Sequence, residues 1–237
     1  MTFSIHADWS NWDLSFLEEV SSTIRRLKIF AGRRDRVVLP ASLPAVEEFT
    51  GFIETIEGRL PELPLVARFS ALWESCFLQD FLQEASSELH SVNVAGYTMP
   101  TLDALSSLIR PSVEELEVEG RRLTCLVGEV ALNVRSLTCN SLGRLTDLGF
   151  SPELVPRLEE LEIESAKKLT DVASLKSLRN LRVLSLEACG TLDTLEPLMN
   201  LPHLQEAWLV ATKVKDGRMR WLGDRLKAYA RARHYDI

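Results

Sequence analysis

Leu158-Glu159-Glu160-Leu161-Glu162-Ile163 is followed, 23 residues on, by Leu181-Arg182-Val183-Leu184-Ser185-Leu186. Both read L-x-x-L-x-L, and the last two apolar positions are two residues apart, so they lie on one side of a strand. The same pattern recurs as Leu89-x-x-Val92-x-Val94, Val113-x-x-Leu116-x-Val118, Val134-x-x-Leu137-x-Cys139 and Leu204-x-x-Ala207-x-Leu209. Its fourth positions, 92, 116, 137, 161, 184 and 207, are spaced by 24, 21, 24, 23 and 23 residues. A second register agrees: Leu145-Thr-Asp, Leu169-Thr-Asp and Leu192-Asp recur at 24 and 23. A period of this length marks a repeat architecture, because one such unit cannot bury its own apolar face and stacked neighbours can.

The repeat resembles that of the leucine-rich repeat family over residues 89–212, with Ile24-Arg-Arg-Leu27-Lys-Ile29 as an outlying copy. The resemblance implies an α/β fold: a solenoid with a parallel concave β-sheet, a helical or 3-10 convex side and helical caps. Between residue 29 and residue 89 the period is lost, although Leu63-Pro-Leu65-Val66-Ala-Arg-Phe69 suggests a further strand. The chain is therefore read as an N-terminal cap with irregular repeats (1–88), regular repeats (89–212) and a basic C-terminal cap helix (213–237). The ninth repeat position, usually Asn or Cys in the family, is Tyr97, Arg121, Leu142, Ala166, Cys189 and Thr212. Only the last two are conventional, so no continuous asparagine ladder is expected.

Local patterns fill in the rest. Residues 13–22 read as a helix with Asp13 as candidate N-cap, and residues 43–57 and 71–84 as amphipathic helices. Residues 100–109 have helical spacing. Leu169 to Leu178 and Leu192 to Leu201, with Leu every third residue, suit a short helix or a tight three-residue turn. Asp216 to Ala232 reads as the capping helix, with Trp221, Leu222, Leu226 and Tyr229 on its apolar side.

The polar positions of the six strands face the open side of the sheet. They read Ser91, Asn93, Ala95; Glu115, Glu117, Glu119; Ser136, Thr138, Asn140; Glu160, Glu162, Glu164; Val183, Ser185, Glu187; and Glu206, Trp208, Val210. Eight are glutamate and none is lysine or arginine. Two all-glutamate strands flank a neutral one, roughly 9–10 Å apart at twice the strand spacing. Glu is a poor strand former, so such a face suggests a basic protein partner; the plainer reading is a solvated surface. Trp208 is of the commonest hot-spot type at interfaces, or else packs under the cap. The resemblance implies that this concave sheet is the partner-binding surface.

Composition limits the alternatives. The 237 residues are 46% hydrophobic and 26% charged, ordinary for a globular chain, with a net charge of −7. That charge disfavours a general nucleic-acid or membrane binder. It is uneven: residues 1–110 carry 9 Lys/Arg against 15 Asp/Glu, residues 111–210 carry 10 against 16, and residues 211–237 carry 8 against 3. The basic tail interleaves Arg218, Arg220, Arg225, Lys227, Arg231 and Arg233 with aromatics, and reads as the outer face of a cap helix. No phosphate-binding loop, dinucleotide fingerprint or nucleophile elbow occurs. His6, His90, His203 and His234, and Cys76, Cys125, Cys139 and Cys189, keep no metal-ligand spacing. No cofactor or metal is expected, nor a catalytic role. The first eight residues show neither a basic segment nor an apolar one, so no secretory signal is expected and a cytoplasmic setting is. The ending Ala232-Arg233-His234-Tyr235 resembles that of small bacterial repeat-only proteins, several encoded beside toxins. The expected function is thus a non-enzymatic binding module: an immunity or inhibitor protein neutralising a basic toxin or enzyme, or alternatively a scaffold or adaptor.

Overall fold

The computed structural model describes residues 1–6, 11–32 and 35–216. Its strands, in chain order, are β1 (Thr2–His6), β2 (Asn11–Asp13), β3 (Arg26–Phe30), β4 (Arg36–Val38), β5 (Glu48–Phe52), β6 (Thr55–Glu57) and β7 (Arg68–Leu72). They continue as β8 (Ser91–Ala95), β9 (Glu115–Glu119), β10 (Ser136–Asn140), β11 (Glu160–Glu164), β12 (Val183–Glu187) and β13 (Glu206–Val210). The ten five-residue strands begin at residues 2, 26, 48, 68, 91, 115, 136, 160, 183 and 206, one per repeat. One strand per repeat, each beside the next, is the leucine-rich-repeat fold. The described residues form two compact units, one within 1–97 together with 108–116, the other 98–107 together with 117–216.

In the first unit β1, β3, β5, β7 and β8 are parallel neighbours in that order. The repeat therefore runs through the region where the period looked lost. The reason lies in side-chain size. Val46-x-x-Phe49-x-Gly51 and Val66-x-x-Phe69-x-Ala71 keep the inward positions but exchange two leucines for one phenylalanine and one small residue. Phe49, Phe69 and Ala71 are buried, and the Phe49 and Phe69 rings stack with centroids 5.5 Å apart. A Cβ on Gly51 would come within 2.5 Å of Phe49 Cε1, so the missing side chain is the room the ring occupies.

The amphipathic helix expected over 43–57 is instead β5 and β6. Tight turns set the inward residues Leu43, Val46 and Phe49 three apart, which imitates a helical face, and the strand alternation follows. Of the helix expected over 71–84 only α1 (Leu78–Glu84) forms, because Ala71 and Leu72 complete β7 against β8. The short strands β2, β4 and β6 make a second parallel sheet across the repeat from the main one. The return side of this unit thus holds three short strands in addition to the helical and 3-10 turns that were expected. Residues Ser15–Val20 form a 3-10 helix, and Asp13 Oδ1 accepts the Ser15 N–H at 3.0 Å.

In the second unit β10 to β13 are parallel in chain order, with β9 beside β10. The return segments are short: α2 (Asp103–Ser106), a 3-10 turn (Ala173–Ser177) and α3 (Glu196–Met199). The inward leucines of adjacent repeats stack in register, as Leu137, Leu161 and Leu184 do, each buried. The capping helix expected from Asp216 lies outside the described residues beyond Asp216 itself, whose Oδ2 accepts from Thr194 Oγ1 and Leu195 N.

A residue with positive φ follows each of four strands: Ser141 (59°), Ser165 (60°), Ala188 (49°) and Ala211 (50°). This left-handed residue ends the strand and turns the chain inward. Two conventional ninth-position residues then tie neighbours together. Thr212 Oγ1 accepts the Cys189 N–H at 3.1 Å and lies 3.0 Å from Leu186 O, while Cys189 Sγ lies 3.7 Å from Ile163 O. The left-handed conformation costs a residue with a Cβ about 1–2 kcal/mol, part of which glycine returns as chain entropy. Ala188→Gly is therefore expected to stabilise the protein by about 0.5–1 kcal/mol, read from denaturant midpoints; a loss of stability would contradict the strain assignment.

Asp103 provides another tie. Its carboxylate accepts N–H bonds from Gly128 (3.0 Å), Glu129 (3.0 Å) and Val130 (3.3 Å). Burial alone pushes its pKa up, but these bonds outweigh burial and leave it below the usual carboxylate value. The stabilisation is full above the unfolded pKa and is lost as pH falls through the lower folded one. In Asp103→Asn the acid limb of the stability curve below about pH 4 should flatten. An unchanged acid limb would mean that the three bonds do not couple to folding.

Candidate functional site

The alternation of the repeat decides which side chains reach solvent. In β11 the inward Leu161 and Ile163 are buried while Glu160, Glu162 and Glu164 are exposed. In β9, Glu115 and Glu117 are exposed and Glu119 half-buried; Glu115 belongs to the first unit, and Glu117 and Glu119 to the second. Thr138 and Asn140 on β10 are half-buried, Glu187 on β12 is exposed, and Glu206 and Trp208 on β13 are half-buried. All the residues predicted from the pattern thus lie on the outward positions of their strands.

Register fixes their neighbours. Thr138 lies opposite Glu162, Glu162 opposite Ser185, and Ser185 opposite Trp208. Glu164 lies directly opposite Glu187, which places two carboxylates on adjacent strands. Such like-charge neighbours destabilise a sheet. Glu119 is engaged by Arg121, Nη2 to Oε1 at 3.3 Å, but that guanidinium is 81% exposed and screens the face weakly. The Trp208 indole N–H donates to Glu206 Oε2 at 3.2 Å, which holds the ring to the face beside a carboxylate.

Basic residues stand one position before the strands, and they are engaged there. Arg135 makes a two-pronged contact with Glu159, at 3.2 and 3.1 Å, and Arg182 reaches the same carboxylate at 3.5 Å. The hydrogen bond from Arg135, with the charges of both arginines, holds Glu159 below the usual carboxylate range. Glu159 is therefore part of an ion-pair row, whereas the outward glutamates of β11 have no ion-pair partner among the described residues.

Among the described residues no three His, Cys, Asp or Glu side chains are placed to hold a metal ion. Cys139 is fully buried, and burial pushes its thiol far above the ordinary range. Cys76 is exposed, and Cys125 and Cys189 are partly buried. No helix among the described residues is long and apolar enough to cross a membrane. His234 and the basic tail beyond Asp216 lie outside the described residues.

The open face of the first unit is legible in the sequence at Ser91, Asn93 and Ala95 of β8 but not on β1, β3, β5 and β7. It carries Arg26, Lys28 and Arg68 with a single carboxylate, Glu48, and a row of apolar and aromatic side chains. The signal was present in Val46-x-x-Phe49-x-Gly51, whose outward positions follow once Phe49 is accepted in a leucine position.

Comparison with known proteins adds little. No family model matches the chain, and no curated protein does. Among solved structures the chain is similar to an internalin from Listeria monocytogenes, at 15% identity and a TM-score of 0.38, over 88% of this chain and 67% of that one.

Proposed function

We propose that this chain is a protein-binding module without catalytic activity, and that the outward face of the second unit, Glu117 and Glu119 with β10 to β13, takes a basic protein. The observation that carries the reading is the set of eight outward glutamates, with no lysine or arginine at the eighteen outward positions of the six regular strands. The opposed pair Glu164 and Glu187 supports it. A surface selected only for solubility would alternate signs or use threonine, and would gain stability by doing so. Keeping like charges in register is a cost that a binding role offsets.

In its sharper form the module is a cytoplasmic immunity or inhibitor protein. A nuclease or other enzyme acting on a polyanion has a cationic groove, and a rigid acidic sheet is complementary to it. Clustered glutamates would steer encounter, and Trp208, held by Glu206, would serve as the apolar anchor that slows release. Inhibition follows from covering the groove and needs no chemistry from this chain.

The test is affinity capture from host lysate at low and high salt. One small basic protein, retained stoichiometrically at low salt and weakened at high salt, is the expected result. Several partners indifferent to salt would overturn the acidic-face reading in favour of an adaptor.

A further inference from the structure

The outward positions of the first unit form three rows across β1, β3, β5, β7 and β8, fixed by the parallel register. The row at the strand starts reads Thr2, Arg26, Glu48, Arg68 and Ser91, and the middle row Ser4, Lys28, Thr50, Ser70 and Asn93. Together they hold three cations against one carboxylate. Glu48 lies between two of them, 3.1 Å from Lys28 and 4.0 Å from Arg68. Arg26 is exposed and has no ion pair among the described residues. Beside it is a recess of about 460 Å3, lined in part by Arg25, Arg26, Glu47, Glu48 and Arg68.

The row at the strand ends reads His6, Phe30, Phe52, Leu72 and Ala95. His6 and Phe30 stack at 4.4 Å with planes 10° apart, and Phe30 meets Phe52 at 5.4 Å. Phe30, Phe52 and Leu72 are half-buried, and the core on the other side of the sheet is filled without them by Leu27, Ile29, Phe49 and Phe69. A contiguous apolar row on an outward face marks a contact surface, whereas isolated apolar side chains would not.

We infer that this face binds an acidic peptide segment of a protein partner, with carboxylates on the Arg26 and Arg68 row and apolar side chains on the His6, Phe30, Phe52 and Leu72 row. Charge sets the sign of the segment, and the aromatic row sets its second requirement. The two rows are four residues apart along each strand, about 13 Å. An extended segment lying along the strands spans that distance between residues about four positions apart. Single-stranded nucleic acid fits less well. Bases need free ring faces, and those of His6 and Phe30 are turned on each other. The inference stands apart from the proposal for the acidic face.

The experiment probes the full chain on an array of extended peptides about twelve residues long, with the number and spacing of Glu and of Leu or Phe varied independently. Binding to peptides with both features, strongest near a four-residue spacing, is expected to exceed acidic-only and basic apolar peptides by about tenfold or more. Arg26→Glu combined with Arg68→Glu should remove that preference while leaving capture by the acidic face unchanged. Arg26→Ala, a milder change at an exposed position, should weaken it in the same direction if the double variant does not fold. No preference for both features, or binding unchanged in a folded double variant, would overturn the inference. So would tighter binding of an oligothymidine probe, or self-association by sedimentation that the double variant abolishes, which would make a second copy the occupant.

Discussion

Replacing Glu117, Glu119, Glu162 and Glu164 together by lysine is expected to abolish partner binding, by more than about 100-fold, while the protein remains folded. The first half of that result follows from charge. Each reversal removes an attraction and adds a repulsion, and exposed pairs of this kind contribute about 0.2–1 kcal/mol each at ordinary salt. Four reversals, counted twice over, amount to about 2–8 kcal/mol, near 5 at the middle of that range, and each 1.4 kcal/mol is a factor of about ten. The second half follows from burial. Glu117, Glu162 and Glu164 are exposed, and Glu119 gives up only its contact with the largely exposed Arg121. Isothermal titration calorimetry against the captured partner, with a thermal melt as control, reads both. Retained affinity in a folded variant would defeat the charge mechanism.

The largest stability effect is expected one residue away on the other side of the same strand. Leu161 is buried at 1% exposure between Leu137 and Leu184 in register. Leu161→Ala removes buried methyl groups and leaves a cavity that a laddered repeat cannot collapse, since both neighbours are held by their own strands. The expected loss is about 3–4 kcal/mol, within the range for buried leucines. Because each repeat is stabilised by its neighbours, the loss spreads along the second unit. Glu162→Ala, on the adjacent outward position, should change stability by less than about 0.5 kcal/mol. Denaturant unfolding of the pair measures the contrast. Equal effects would mean that the inward and outward assignment of β11 is wrong.

The regular repeats were legible because leucine, valine and isoleucine fill the inward positions from residue 89 onward, Cys139 and Ala207 apart, so that period and face could be read together. The outward glutamates, Thr138, Asn140 and Trp208 followed from the same alternation. Residues 43–84 were not legible for a physical reason. Phe49 with Gly51, and Phe69 with Ala71, keep the summed inward volume but break the L-x-L signature, and three-residue turns then imitate a helical face. The second small sheet of β2, β4 and β6 was missed because three-residue strands carry too few alternations to stand out. The turn after each of β10 to β13 was also hidden. It rests on the left-handed Ser141, Ser165, Ala188 and Ala211, residue types that give no sign of positive φ. What such a face binds is not encoded in period at all; it emerges only from which charges the register brings together.

In the proposed function the glutamates of the second unit recognise a basic protein by charge. The most direct test is the association rate with the captured partner as ionic strength rises from about 0.01 to about 0.15 M, where the screening length falls from about 30 to about 8 Å. A steep fall in association rate is expected, with a dissociation rate that changes little and no salt dependence of this sign in the fourfold lysine variant. A flat association rate in the wild-type protein would contradict it.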